Sequence, residues 1–134
     1  GELDVVLIDM PPGTGDVPLT VFQSIPLDGV IIVTSPQELV QLIVKKAHRM
    51  ALEMNVPVLG IVENYSYLKC PDCGKEIPLF GNSRAEETAA SLSLPVLGRL
   101  PLDPAFAEAV DRGDFYKKEN PYLSRAVEIV ESLL

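Results

Sequence analysis

Two cysteines separated by two residues are the part of this sequence best suited to chemistry. Cys70 and Cys73 are the only cysteines among the 134 residues, and Gly74 follows them directly. Two thiolates at this spacing can face one metal while N–H groups of the turn donate to sulfur. One pair supplies half of a set of four ligands, so a complete site needs two chains. The spacing therefore predicts a symmetric homodimer with the metal on its two-fold axis.

The cysteine pair is also compatible with other chemistry. A Cys-Pro-x-Cys-Gly segment occurs in zinc ribbons, and a dithiol in a reducing compartment can serve in redox reactions. The pair lies in a predicted loop and not at a helix start, where thiolates are activated, which favours a metal over a redox function. The only histidine, His48, lies beside Lys45 and Arg49 and is predicted to be exposed. The residues leave an iron–sulfur cluster and zinc both open.

A second chemical segment combines an acid with glycines. Residues 4–9 read DVVLID, an apolar run that ends at Asp9, and Gly13 and Gly15 follow it. An acid at the end of such a strand can hold Mg²⁺ through water, and glycines allow backbone N–H groups to approach a phosphate. A plain strand-to-helix turn with Asp16 as the N-cap explains the same pattern. The residues alone leave both interpretations open.

Four short apolar runs are candidate strands. They are rich in Val, Ile and Leu and lie at residues 4–9, 29–34, 57–62 and 95–98. Continuous runs of this length suit strands that are buried on both faces, as in a parallel sheet. Residues 65–81 interrupt the pattern and are predicted to form a loop or small hairpin that carries both cysteines.

Helical signals separate these runs. A helix is indicated near residues 17–24, and capping residues or prolines mark later helix starts at Ser35, Ser83, Asp103 and Asn120. The helix after Ser35 is predicted to bury Leu39, Ile43, Ala47, Met50 and Met54. The last helix is predicted to reach Leu134 and to bury Leu123, Val127, Val130 and Leu134. Alternating strands and helices predict an α/β fold, a mostly parallel sheet with flanking helices.

The composition is that of a globular domain with an acidic balance. Apolar residues make up 47% and charged residues 22%, which suffices for one core. The formal net charge of -8 argues against nucleic acid and anionic membranes as partners, although one Mg²⁺ and a few N–H groups can still hold a nucleotide. The chain has neither a membrane-length apolar run nor a start like that of a signal peptide, so we expect a cytoplasmic protein.

Several motifs together resemble one protein family. Asp-x-Pro-Pro-Gly-Thr-Gly-Asp at residues 9–16 resembles the switch II segment of the Mrp/ApbC iron–sulfur carriers, in the MinD/ParA-like group of P-loop ATPases. The resemblance continues, in order, at residues 34–38 (TSPQE), 60–67 (GIVENYSY), 70–81 and 97–104 (LGRLPLDP). The chain is thus similar to the carboxy-terminal part of one P-loop NTPase domain, over residues 1–134, with residues 65–81 as a cysteine-bearing loop within it.

The resemblance implies a nucleotide site with ATP and Mg²⁺. Asp9 would help to organise Mg²⁺ and water at the γ-phosphate, and Gly13 would sense that phosphate through its backbone. Asn64 would hydrogen-bond the adenine, and Pro101 and Leu102 would line the base pocket. A side-chain amide matches the adenine edge. Without the family context, Asn64 reads as a loop asparagine that caps its own turn.

The resemblance also implies a cargo for the cysteines. Cys70 and Cys73 would bridge a [4Fe–4S] cluster between two subunits, for transfer to apo iron–sulfur client proteins, with zinc possible in its place. Apolar residues flank the pair and would form either a dimer interface or local hairpin packing: Tyr65, Tyr67, Leu68, Ile77, Leu79 and Phe80.

The phosphate-binding loop of this family does not occur in the sequence. Its pattern, Gly-x-x-x-x-Gly-Lys-Ser/Thr, cradles phosphates with backbone N–H groups and offsets their charge with lysine. No such segment is found in the 134 residues, so the chain resembles a truncated product or a partial reading frame. We expect negligible ATP hydrolysis by this chain alone, and an open strand edge where the P-loop strand of the family would pair.

Three functions follow from these observations. The first is an ATP-dependent iron–sulfur cluster carrier that binds a bridging [4Fe–4S] cluster. The second is a non-catalytic zinc- or cluster-binding dimerisation module. The third is a MinD-like partitioning ATPase, against which the cysteine loop and the absence of a basic amphipathic carboxy-terminal helix both argue.

Overall fold

A three-stranded parallel sheet forms the centre of the fold. The computed structural model describes residues 2–134, and Gly1, part of the predicted domain, lies outside the described residues. The strands are β1 (Val30–Thr34), β2 (Val58–Glu63), β3 (Leu68–Lys69), β4 (Glu76–Ile77) and β5 (Val96–Arg99). Strands β1, β2 and β5 lie side by side in this order and are parallel, whereas β3 and β4 form an antiparallel hairpin.

Helices connect the parallel strands and cover the sheet. They are α1 (Asp16–Ser24), α2 (Glu38–Glu53), α3 (Ala85–Ser91), α4 (Pro104–Asp111) and α5 (Ser124–Glu131), with short 3-10 turns at Phe115–Lys117 and Pro121–Leu123. The predicted α/β class, with a parallel sheet and flanking helices, is confirmed. So are the three runs that form β1, β2 and β5, each within a residue or two of its predicted bounds.

Strand β2 is buried on both faces, and its successive residues point to opposite sides of the sheet. Ile61 packs with Val44 of α2 and Ala89 of α3, in one hydrophobic cluster. Its neighbour Val62 packs instead with Ala126 of α5, in a second cluster. The apolar character of β2 up to Val62 therefore has a direct cause, since both sets of alternating side chains are covered by helices.

The predicted helix starts are confirmed to different degrees. The Asp103 side chain accepts from the Ala105 N–H at 2.9 Å and caps α4 as predicted. The Asn120 side chain accepts from the Tyr122 N–H at 3.1 Å, but it caps the 3-10 turn at Pro121–Leu123, and α5 begins only at Ser124. Helix α2 begins only at Glu38, after an extended Gln37, so Ser35 lies too far upstream to cap it. Helix α3 begins at Ala85, one residue later than the second capping box implies.

The predicted buried faces of α2 and α5 are confirmed in part. Leu123 packs against the second hydrophobic cluster, and four other predicted positions are partly buried: Ala47, Met50, Met54 and Val130. In α2, Leu39 and Ile43 are exposed, and Val44 and Ala51 are buried instead. This helix carries two adjacent apolar stripes, both at helical spacing, and the sheet covers only one of them. In α5, the core contacts come from Ala126 and Ile129, whereas Val127 and Leu134 are exposed. Leu134 also lies beyond the end of the helix at Glu131.

The predicted strand at residues 4–9 is also wrong. These residues form no strand, and Leu7, for example, is 82% exposed. A strand needs a neighbour for its N–H and C=O groups, and no described strand pairs with this segment. Strand β1 pairs with β2 along one edge only, so its second edge has no partner strand among residues 2–134.

Gly98 of β5 provides a test of the packing at the sheet. A Cβ built at this position would collide with the carbonyl oxygen of Tyr122, a backbone atom that cannot rotate away. We expect Gly98→Ala to lower the free energy of unfolding by about 1–3 kcal/mol, the usual effect of overpacking. Denaturant titration measures this change. Gly15→Ala, where a Cβ meets no atom within 4 Å, is the matched control, and an equal loss in both variants would contradict the packing.

Candidate functional site

The cysteine pair lies at the tip of the β3–β4 hairpin. Leu68 pairs with Ile77 and Lys69 with Glu76, after which the Cys70 N–H donates to the Lys75 carbonyl at 2.9 Å. The Gly74 N–H returns to the Cys70 carbonyl, also at 2.9 Å. Gly74 has a φ of +72°, a left-handed conformation that closes this tight turn and favours glycine. Both thiols are free, with Cys70 partly buried and Cys73 exposed.

Hydrogen bonds within the turn favour the thiolate form of Cys70. The backbone N–H groups of Cys73 and then Asp72 lower the pKa of the Cys70 thiol below its ordinary value, and the Cys73 side chain adds a smaller effect of the same sign. The thiolate is the form that ligates metals, so this turn favours metal binding. It is also the reactive form in redox chemistry, and turn N–H groups stabilise it here without a helix start.

Backbone hydrogen bonds fix this hairpin to the segment that follows β5. The Ser66 N–H donates to the Leu100 carbonyl at 2.9 Å, and the Leu102 N–H donates to the Tyr67 carbonyl at 2.7 Å. Leu68 and Leu102 form a parallel bridge directly beyond these bonds. The segment that leads into β3 therefore runs along residues 100–102 before the chain reaches Cys70.

The residues predicted to contact adenine lie on both sides of this junction. Asn64 follows β2, its N–H donates to the Thr34 carbonyl at 2.8 Å, and its side-chain oxygen accepts from the Tyr65 N–H at 2.9 Å. This last bond is the self-capping turn that the residue type alone suggests, and Tyr65 has a φ of +56° within it. Pro101 is buried and Leu102 is exposed. The assignment of these residues to adenine stays a prediction.

A groove connects the cysteine hairpin to the segment after β5. Its volume is about 330 Å³, and Cys70, Pro101 and Leu102 line it together with Asp103 and Tyr122. The structure thus brings two of the predicted base-contacting residues to the same groove as one predicted metal ligand. Asn64 does not line this groove, and it lies in the turn that precedes the hairpin.

The structure does not connect Asp9 and Gly13 to these residues. Both are exposed, and no hydrogen bond or ion pair of the described side chains involves Asp9. Gly13 has a φ of +93°, and no atom lies within 4 Å of the position where a Cβ would stand. Their roles at Mg²⁺ and the γ-phosphate stay predictions.

A buried carboxylate at the end of β2 received no role from the sequence. Glu63 lies in register between Thr34 of β1 and Arg99 of β5, so the three residues form a row across the carboxyl edge of the sheet. Its carboxylate accepts from the Ser66 hydroxyl at 2.5 Å and lies 3.6 Å from the Arg99 Nε. The sequence did contain a signal for this buried carboxylate: an acid directly follows a buried apolar run, and a serine stands three residues later.

Residues 2–134 lack two further features that would bear on function. No helix in this part of the chain is long and apolar enough to cross a membrane. No group of three or more His, Cys, Asp and Glu side chains comes together there in a way that could hold a metal ion.

Comparisons with known proteins identify first the class and then the family. The fold matches that of a nucleotide-binding protein from Archaeoglobus fulgidus, solved in complex with ADP and with cobalt found by PIXE. The TM-score is 0.84 at 43% identity, over 92% of this chain and 51% of that protein. The sequence model of the ParA family described as NUBPL iron-transfer P-loop NTPase matches residues 1–134. The chain belongs to this family.

Individual relatives agree with this assignment. The chain is 47% identical over 125 residues to an iron–sulfur cluster carrier protein of Clostridium perfringens, covering 92% of this chain and 44% of that protein. It is 41% identical over 140 residues to the iron–sulfur cluster transfer protein NUBPL of Mus musculus, covering 99% and 44%. The chain therefore spans less than half the length of these curated relatives.

The Cys70 turn gives a prediction about pH. Because its N–H groups lower the pKa of Cys70, the thiolate persists to lower pH in the folded chain than in the unfolded one. In metal-free Cys73→Ser, which keeps the backbone N–H at position 73, we expect alkylation of Cys70 by iodoacetamide to reach half its maximal rate at lower pH in buffer than in denaturant. Mass spectrometry across a pH series measures both midpoints, and identical midpoints would refute the role of the turn.

Proposed function

We propose that this chain carries an iron–sulfur cluster between two copies of itself and transfers it to apo-proteins. The observation that carries the proposal is the pair of free thiols in a closed, N–H-rich turn at the tip of an anchored hairpin. Two thiolates are half of the four that a [4Fe–4S] cluster takes. Two such tips, one from each chain, would complete the set. The names of the relatives, as carriers and transfer proteins, agree with this function.

The exposure of the hairpin supports both dimerisation and transfer. Residues 71–80 are exposed throughout, and Ile77, Leu79 and Phe80 present apolar surface beside the cysteines. Such surface favours contact with a second copy over packing within one hairpin. Transfer requires that thiolates of the acceptor replace Cys70 and Cys73 as ligands, and an exposed tip allows an acceptor thiolate to approach.

We further propose that the chain contributes one side of a nucleotide site. Asn64, Pro101 and Leu102 would contact the adenine of ATP. Asp9 would hold Mg²⁺, since a carboxylate is a hard oxygen ligand and no described side-chain bond occupies it, and the open backbone of Gly13 would face phosphate. The similar protein from Archaeoglobus fulgidus was solved with ADP. A phosphate-binding loop supplies most of the charge stabilisation in this class, so hydrolysis by these 134 residues alone would be negligible.

The cellular setting follows from chemistry and charge. A labile cluster on exposed thiolates needs a reducing compartment, which supports the cytoplasm as the site of action. The formal net charge of -8 disfavours nucleic acid and anionic membranes as partners, and client proteins are the partners proposed instead.

A zinc- or cluster-binding dimerisation module without catalysis is the alternative. The observation that favours it is that Asp9 and Gly13 share no described contact with the cysteine hairpin or its groove. In that case the metal would hold two chains together and would not be passed on.

Anaerobic reconstitution with iron and sulfide tests the carrier function. We expect absorbance of a [4Fe–4S] cluster at about half a cluster per chain, because two chains share one cluster. Cys70→Ala and Cys73→Ala should each lose the cluster, since either leaves too few ligands. Ser132→Ala, an exposed hydroxyl that bonds within its own helix end, is the matched control and should load normally. Stoichiometric zinc that resists replacement by iron and sulfide would establish the alternative.

A further inference from the structure

Glu63 is an unusual residue for the end of an interior strand. Its side chain is 1% exposed, and it is among the largest fully buried side chains of the described chain. Val62 precedes it in the core, and Ser66, itself 1% exposed, covers it from the following turn. A buried carboxylate loses its hydration, and that loss is not recovered unless the charge is paired and hydrogen-bonded.

The partners of Glu63 come from two different parts of the junction. The Ser66 hydroxyl donates to the Glu63 carboxylate at 2.5 Å and lies 3.2 Å from the Glu63 carbonyl, so the carboxylate closes the turn that contains Asn64 and Tyr65. On the other side, the Arg99 Nε lies 3.6 Å from the same carboxylate oxygen. One oxygen therefore contacts both the start of the hairpin segment and the end of β5.

Backbone bonds continue from this pair toward both candidate sites. The Leu100 N–H donates to the Glu63 carbonyl at 2.8 Å, the Ser66 N–H to the Leu100 carbonyl at 2.9 Å and the Leu102 N–H to the Tyr67 carbonyl at 2.7 Å. We call these three bonds the junction ladder. It starts at Glu63 and ends where Leu68 bridges Leu102, two residues before Cys70.

Arg99 strengthens the connection to the hairpin. Its guanidinium lies over the ring of Tyr67, 5.9 Å from the ring centroid, and the Tyr67 carbonyl is itself the last acceptor of the junction ladder. A cation over an aromatic face at this distance is attractive. Arg99 therefore contacts the buried acid and the hairpin segment at the same time.

A neutral residue at this position would keep the shape of the side chain but not its charge. Glutamine has the shape of glutamate and can accept from Ser66, but it cannot pair with the Arg99 charge. Removing one partner of a buried pair destabilises a fold when the other charge is left buried and unpaired. The Arg99 side chain is 41% exposed, so water can hydrate its guanidinium when the carboxylate is lost. Glu63→Gln therefore separates what the charge contributes to the order of the junction from what the shape of the side chain contributes.

We propose that Glu63 is a positioning residue that couples the cysteine hairpin to the base-contacting segment. Its carboxylate holds Ser66 and Arg99 together, so that ordering of the hairpin by a metal also orders residues 100–102 through the junction ladder. This inference rests on the proposed metal site at Cys70 and Cys73. By linkage, a ligand on residues 100–102 would alter metal affinity by the same factor.

Hydrogen exchange with and without Co²⁺ tests the coupling. Co²⁺ is the probe because its thiolate complexes absorb visibly and because cobalt was found in the similar Archaeoglobus fulgidus protein. We expect Co²⁺ to slow exchange at the hairpin amides of Cys70 and Gly74. In the unmodified chain it should also slow exchange at Leu100 and Leu102 by about tenfold, a usual size for coupling between sites.

Variants separate coupling from mere support of the fold. Glu63→Gln should still bind Co²⁺ and protect the hairpin amides, but protection at Leu100 and Leu102 should change by less than about twofold, below the usual coupling range. Arg99→Lys keeps the cation and should keep the coupling. Arg99→Gln removes the cation and should lose the coupling, so it replaces Glu63→Gln as the test variant if Glu63→Gln does not fold. Glu53→Gln, which breaks an exposed ion pair with Arg49, is the matched control and should behave like the unmodified chain.

The outcomes are distinguishable. If Co²⁺ protects the hairpin but not Leu100 and Leu102 in the unmodified chain, or protects them equally in Glu63→Gln, the coupling is refuted and the metal site stands. If Co²⁺ fails to bind through the two cysteines, the proposed function fails and the coupling fails with it. A general rise in exchange in both Glu63→Gln and Arg99→Gln, including at the Met54 amide at the end of α2, would show that this pair serves the fold alone and would also refute the coupling.

Discussion

Two thiolates satisfy only half of a four-ligand site, and this constraint underlies the proposed metal site shared by two chains. Under that proposal the position of Cys70 and Cys73 at an exposed hairpin tip matters, because a second pair can approach them there. The tip must still be held in place, since a metal shared by two flexible loops would lose much of its binding energy to ordering. The backbone bonds between residues 66–67 and 100–102 provide this support from the parallel sheet.

The sheet provides more than support, because it determines which residues meet at its carboxyl edge. Parallel strands end on the same side, so the residues that follow β2 and β5 are brought together although they are distant in sequence. The cysteine hairpin grows from the end of β2, and the segment that carries Pro101 and Leu102 grows from the end of β5. The segment proposed to contact the nucleotide and the hairpin proposed to bind the metal thus share one junction, with Glu63 buried at its base.

The sequence predicted the three parallel strands well and the first run badly, for a physical reason. Residues 58–62 (VLGIV) carry no polar side chain because helices cover both faces of β2, and that signal is local. Residues 4–9 have the same local signal, but a strand also needs a partner, and none of the described strands pairs with them. Leu39 and Ile43 of α2 were wrongly predicted to be buried because Leu39 and Val40 begin two adjacent stripes, and only tertiary packing selects between them.

Of the candidate site, the sequence supplied the cysteines and the hairpin but not the groups that organise them. The spacing of Cys70 and Cys73 is a local pattern that can be read directly. The proposed role of Glu63 depends on Arg99, which lies on another strand, and on the Ser66 hydroxyl, which points back from the following turn. Hydrophobic periodicity along the sequence does not indicate that Glu63 and Arg99 lie next to each other. The family relationship suggested roles for Asn64, Pro101 and Leu102, whereas the structure shows why two of them share a groove with Cys70.

The central claim is that one metal centre joins two copies of this chain through Cys70 and Cys73. Sedimentation equilibrium of the cobalt-loaded chain, followed at the thiolate absorption of the metal, tests it most directly. The account predicts that the absorbing species has twice the mass of the chain and returns to the single mass when a chelator removes the cobalt. An absorbing species with the mass of a single chain at every concentration would contradict it.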